Sequence, residues 1–155
     1  MKLGEKLRSM EFSATNGLQS NLDSYQGKWL VLYFYPKDST PGCTTEGQDF
    51  RDAYTRIQGL NAEVFGISRD SLKSHENFKA KQQFPFELIS DKDEQFCQLF
   101  DVIKMKSMYG KQVRGIERST FIIDPRGVLK HEWRKVSVKD HVAEVIKTLQ
   151  ELQTN

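Results

Sequence analysis

The chain has 155 residues, 37% of them hydrophobic and 28% charged, with a formal net charge of +2. That length suits a single domain over residues 1–155, and the apolar-to-charged balance excludes a disordered or fibrous chain. Lys and Arg are interleaved with Asp and Glu, so no basic block offers a phosphate-tracking surface and nucleic acid is not an expected partner.

The N-terminal "MKLGEKLRSMEFSATNG" has no apolar stretch of the signal-peptide kind. No run in the chain reaches the roughly 18–20 apolar residues of a membrane span. A cytoplasmic protein without a membrane partner is the expectation. Its two cysteines, Cys43 and Cys97, are too few for a disulfide framework and too far apart for a CxxC pair. A reducing compartment keeps both as thiols unless one is catalytic.

In chain order, "KWLVLYFYP" (28–36) is an almost unbroken apolar and aromatic run, the pattern of a strand buried on both faces. From Cys43 to Gly59 the spacing becomes helical, with Phe50, Ala53, Tyr54 and Ile57 on one stripe. "AEVFGIS" (62–68) reads as a strand, "SLKSHENFKAKQQ" as a polar helix and "FELIS" (86–90) as a further strand. This βαβαβ order argues for parallel strand pairs.

"DEQFCQLFDVI" spaces Phe96, Leu99, Phe100 and Ile103 as a short core-facing helix. "STFIID", the turn "PRG" and "VLKHEWRK" form a hairpin, and Val142, Val145, Ile146, Leu149 and Leu152 stripe a final helix. Parallel βαβ units first and a hairpin plus helix last make an α/β thioredoxin-like sandwich, a central mixed β-sheet flanked by helices.

The reactive candidate lies at the end of the first long strand, in "DSTPGCTTE" (38–46). A thiol attacks as its thiolate, and a free cysteine is only a few per cent ionised at neutral pH. A helix start offers unpaired backbone N–H groups and the positive end of the helix dipole, both of which favour the anion. Pro41 and Gly42 allow a tight approach to Cys43, Thr40 supplies a hydroxyl that accepts and donates, and Glu46 suits the first turn by charge. Cysteine is also a common small core residue and Pro-Gly an ordinary turn, so the local pattern leaves a buried structural thiol open.

Read whole, Pro36-x-x-x-Thr40-x-x-Cys43 resembles the PxxxTxxC signature of the peroxiredoxins. "YFYPKDSTPGCTTEG", "FGISRDS", "SDKDEQFC", "YGK" and "GIERSTFIIDPRG" resemble the bacterioferritin comigratory protein, or peroxiredoxin Q, subfamily from about Gly27 to the C-terminus. The resemblance implies a thiol peroxidase acting on hydrogen peroxide and organic hydroperoxides. It makes Cys43 the nucleophile, Pro36 and Thr40 pocket residues, and Glu46 and Arg118 polar support. It implies no metal, flavin or haem, a thiol reductant (thioredoxin, glutaredoxin or glutathione), and a monomer, with a dimer open.

The chain departs from that subfamily at the resolving cysteine. One usual position, five residues after the nucleophile, holds Gln48; the other, in the next helix, falls near Lys79. Cys97 is left, read as a packing residue with a resolving role open, and a one-cysteine mechanism with an external thiol leads. The N-terminal "LRSMEF" also differs from the subfamily's Ala-Pro-x-Phe stretch.

A redox sensor or binding module on the same fold, and a cysteine-dependent acyl transferase, are the other functional classes. His75, His131 and His141 read as surface or half-exposed side chains without metal-ligand spacing. Asp70, Asp91 and Asp93 read as turn and capping residues. Phe34, Tyr35, Phe84, Phe86 and Met108 read as core, with a peroxide-lining role as the alternative.

Overall fold

The computed structural model describes residues 1–154. Among them, in chain order, are β1 (Glu11–Ala14), β2 (Gln19–Asn21), a 3₁₀ turn (Leu22–Tyr25), β3 (Trp29–Phe34), α1 (Pro41–Gly59), β4 (Ala62–Ser68), α2 (Leu72–Gln82) and β5 (Glu87–Ser90). There follow α3 (Gln95–Leu99), β6 (Ile103–Met108), β7 (Lys111–Ile116), β8 (Ser119–Ile123), β9 (Leu129–Trp133) and α4 (His141–Gln153). No helix among the described residues is long and apolar enough to cross a membrane.

Seven of these strands form one mixed sheet in the order β2-β1-β5-β4-β3-β8-β9. β3 pairs in parallel with β4, and β4 with β5, as the alternation of strands and helices dictates. β8 returns antiparallel against β3, and β9 against β8, so the last hairpin extends the sheet on its other side. The apolar run of β3 is thus flanked on both edges, and its side chains alternate between two cores.

Leu30, Leu32 and Phe34 face a core shared with Phe65, Ile67, Phe121, the α3 residues Phe96 and Cys97, and the N-terminal segment. Val31, Tyr33 and Tyr35 face the opposite one, built with Cys43, Phe50 and Ile57 of α1, Phe78 of α2 and the Val142, Val145, Ile146, Leu149 stripe of α4. The result is the thioredoxin-like sandwich expected, three layers with the sheet in the middle.

β1–β2 and β6–β7 are additions that the sequence reading passed over. β2 carries only Gln19, Ser20 and Asn21, and β6 alternates lysine with apolar residues, so neither has the buried run of a central strand. β6 and β7 pair with each other and stand apart from the main sheet.

One packing detail has a measurable cost. Gly47 lies inside α1, where a Cβ would sit 2.3 Å from the ring of Phe84, itself stacked on Phe86. Gly47→Ala is expected to destabilise the protein by about 1–3 kcal/mol through overpacking. That is a fall in Tm of about 2–4 °C per kcal/mol for a chain of this size; an unchanged Tm by calorimetry would contradict it.

Candidate active site

The chain leaves β3 at Phe34, crosses Pro36 to Thr40 and enters α1 at Pro41. Thr40 has the extended backbone of a helix cap (φ −79°, ψ 155°), Pro41 takes the first helical position, and Cys43 falls in the first turn. N–H groups there lack intrahelical acceptors and point toward the helix start. Sequence and structure agree on this placement, and Cys43 is 1% exposed.

Arg118 arrives from the far side of the chain. It immediately precedes β8, whose first residue, Ser119, pairs with Phe34 at the end of β3. Its backbone carbonyl accepts from the Val136 N–H at 2.9 Å. The guanidinium then forks: Nη2 donates to Cys43 Sγ at 3.4 Å and Nη1 to Glu46 Oε1 at 2.6 Å. Gly42 makes room for this, since a Cβ there would stand 3.1 Å from Arg118 Nη2.

Glu46 follows Cys43 by three residues, on the same helix face. Its side chain is fully buried and its second oxygen, Oε2, has no hydrogen-bond partner among the described residues. Burial pushes the carboxyl up to about 7, against the pull of the Arg118 charge. Tyr33, stacked on Phe50 in the same core, also keeps a buried hydroxyl without a partner among the described residues, and burial holds its proton on. The Lys106 ammonium, which donates to the Ile116 carbonyl, is pushed below the ordinary lysine range by burial and then by the charge of Arg118.

Of the residues singled out in the sequence, Cys43, Glu46 and Arg118 come into direct contact. Pro36 lies in the loop that leads to α1, and Thr40 is the residue that caps it. The donation expected from Thr40 to the sulfur is absent: its Oγ1 donates to the Lys37 carbonyl at 2.8 Å, which leaves the oxygen lone pairs as acceptors. Phe34, Tyr35, Phe84 and Phe86 are core side chains, whereas Met108 is exposed on the β6–β7 hairpin.

Cys97 lies in the core on the other face of the sheet from Cys43. Its backbone N–H donates to Asp91 Oδ2 at 2.8 Å, and Phe96 N–H donates to Oδ1 at 3.1 Å, so Asp91 caps α3 as its position suggested. Burial, and then the neighbouring Asp91, push the Cys97 thiol far up. The other two positions are occupied as well. Gln48 Nε2 donates to Gln82 Oε1 at 2.9 Å, and Lys79 pairs with Glu87 at 3.0 Å.

The histidines correct the sequence reading. His131 is half-buried, but His75 is fully buried against Asp38 and His141 against Thr120, its Nε2 2.8 Å from Oγ1. Burial, and then the charge of Arg118, push the His141 imidazole down to about 4. His75 was hidden because its helix is polar and its partner is 37 positions away. Asp38, Asp70 and His75 bring donor atoms within 4.8 Å of one another, yet these atoms are engaged with each other and with Tyr35, Ser68 and Ser74.

Residues 3–132 match the AhpC/TSA family. The peroxiredoxin Bcp of Xanthomonas campestris pv. campestris is 54% identical over 140 residues, covering 90% of this chain and 88% of the relative. That of Bacillus subtilis is 48% identical over 152 residues, covering 98% and 97%. Among solved structures, a serine variant of PrxQ from Xylella fastidiosa superposes with a TM-score of 0.94 at 44% identity, covering 99% and 98% of the two chains. A structure of the Xanthomonas campestris bacterioferritin comigratory protein, studied for alkyl peroxide reduction, superposes with a TM-score of 0.87 at 53% identity over 92% and 90%.

Proposed function

The chain belongs to the AhpC/TSA family, in its peroxiredoxin Bcp branch, and is therefore a thiol-dependent peroxidase; from that premise we propose that it reduces hydrogen peroxide and organic hydroperoxides through Cys43 alone. The observation that carries this reading is the Arg118 fork, which binds the sulfur and Glu46 together at a helix start.

Attack by the Cys43 thiolate on the terminal peroxide oxygen forms an S–O bond and breaks the O–O bond. Cys43 becomes a sulfenic acid, and RO⁻ leaves and takes a proton from solvent. Negative charge moves from sulfur to the departing oxygen. A guanidinium already beside the sulfur stabilises both ends of that movement, since it stays charged and presents several N–H groups in fixed geometry. The first-turn N–H groups add donors, and Thr40 Oγ1 is an acceptor for the peroxide O–H.

A first external thiol then condenses with the sulfenic acid, releasing water and leaving a mixed disulfide; a second releases Cys43 as thiol. Thioredoxin, glutaredoxin or glutathione fills this role. What supports external rather than internal resolution is the position of Cys97. A disulfide needs Cα atoms about 4.4–6.8 Å apart, and the central sheet stands between the two cysteines' cores. Residues 1–155 act in this reading as a single domain, in a monomer, in a reducing cytoplasm.

Sustained peroxide consumption coupled to an external thiol is the test. Turnover well beyond one peroxide per chain is expected, with Cys97→Ser retaining at least about half of it, because packing and not chemistry is lost. Consumption that stops after one equivalent would indicate a sensor, and loss of turnover in a folded Cys97→Ser chain would restore Cys97 as the resolving residue.

A further inference from the structure

We infer that the buried Asp38–His75 pair is a positioning device for the peroxide step: it holds the loop that delivers Cys43, and so sets the rate of Cys43 oxidation without touching the sulfur. This rests on the reading of Cys43 given above.

The segment between Phe34 and Pro41 belongs to no strand or helix. Ser39 within it has a φ of 65°, a left-handed conformation that non-glycine residues hold only when their surroundings impose it. Those surroundings converge on Asp38. Its Oδ1 accepts from Tyr35 Oη at 2.6 Å, its Oδ2 accepts from Ser74 Oγ at 2.8 Å and lies 2.7 Å from His75 Nδ1, and its backbone N–H donates to Asp70 Oδ2 at 3.0 Å. Asp70 is tied in turn by Ser68 Oγ at 2.5 Å.

His75 closes the arrangement. Its Nε2 lies 3.0 Å from the Ile89 carbonyl, which only accepts, so the ring is fixed with Nε2 as the donor to β5 and Nδ1 turned to Asp38. The side chains of His75 and Asp38 are 0% and 3% exposed. A buried carboxyl is tolerated only when its lone pairs are met, and here Tyr35 of the loop and Ser74 of α2 donate to it while His75 of α2 stands against Oδ2. The loop is thereby clamped to β4, α2 and β5 at once. Thr40, two residues on, is oriented by its bond to the Lys37 carbonyl, which directly precedes Asp38.

In-line displacement at oxygen tolerates little misplacement of the nucleophile relative to its charge stabilisers. Arg118 is held from the start of β8 and the later turns of α1 by their own core, so the loop that enters the helix sets where its first turn, with Cys43, stands against the guanidinium. Attack by an external thiol on a sulfenic acid already formed makes the Cys43 sulfur the electrophile and brings the nucleophile from outside, so it calls on a different alignment.

The test compares Asp38→Asn and His75→Gln with the parent and with Leu149→Ala, a core truncation on α4 that lowers stability without touching the loop. Two rates are read at a temperature where each chain is folded: oxidation of Cys43 by hydrogen peroxide, and reduction of the sulfenic acid by dithiothreitol. Oxidation is expected to slow fivefold or more in both loop variants, with reduction changed less than fivefold and Leu149→Ala close to the parent. Oxidation slowed less than fivefold, both steps slowed alike, or an equal slowing in Leu149→Ala would each overturn the inference. If Asp38→Asn fails to fold, Tyr35→Phe and Ser74→Ala, each deleting one donor to the same carboxylate, replace it under the same criteria. A parent chain that forms no sulfenic acid at Cys43 would instead overturn the reading of the site itself.

Discussion

Cys43→Ser is expected to lose peroxide turnover by about 10³-fold or more, to the solvent background. Serine is nearly isosteric, so the core around Tyr33, Tyr35 and Phe50 that receives Cys43 stays filled. What changes is the nucleophile. A hydroxyl keeps its proton at neutral pH, and the charge of Arg118 does not overcome the gap between an alcohol and a thiol. The check is consumption of hydrogen peroxide with excess thiol, alongside a thermal melt showing that the variant is folded. Turnover within tenfold of the parent would mean that the chemistry resides elsewhere.

Arg118→Met is the second large effect. The substitution keeps an apolar stem of similar reach and removes the donor to Sγ and the partner of Glu46. Loss of one preorganised charge stabiliser costs about 10²–10³ in rate, and stopped-flow oxidation of Cys43 measures it. Arg118→Lys keeps the charge but not the fork, so it lies between the two.

The Glu46 carboxyl gives this variant a second signature. It ionises near 4.5 in an unfolded chain and near 7 when folded, because burial outweighs Arg118. Between those values the folded state binds more protons, so this group's contribution to stability is full below about pH 4.5 and declines as pH rises through 7. Without Arg118 the folded value rises further, and Arg118→Met is expected to lose more stability at pH 8 than at pH 5. An equal loss at both pH values would contradict the assignment of Glu46 as the buried partner.

The parts of the fold that were legible in the sequence are those with continuous burial. The run through β3, the stripe of α4 and the strand at 62–68 each satisfy their own packing locally, and the structure has them where periodicity puts them. β1 was invisible because its pairing with β5 joins Ala14 to Ile89, a contact no local pattern encodes. β6 and β7 are amphipathic and, among the described residues, pair with each other outside the main sheet, so they lack a buried strand's signature.

The candidate site divides in the same way. Cys43, Thr40 and Glu46 sit within seven residues, and their chemistry follows from one helix start. Arg118 entered through resemblance alone, since nothing in "GIERSTF" by itself brings a guanidinium to a thiol 75 positions away. Asp38 and His75 carried no signal: an aspartate in a turn and a histidine on a polar helix are ordinary until their separation closes to 2.7 Å in the buried interior. The burial of the Tyr33 hydroxyl and of Glu46 Oε2 is likewise a product of the tertiary fold.

The most direct test of the one-cysteine account is intact mass under non-reducing conditions after one equivalent of hydrogen peroxide, with a sulfenic-acid trap present. One trapped adduct per chain is expected, mapping to Cys43, with Cys97 still a free thiol. A disulfide between Cys43 and Cys97, or an oxidised Cys97 beside an unmodified Cys43, would contradict it.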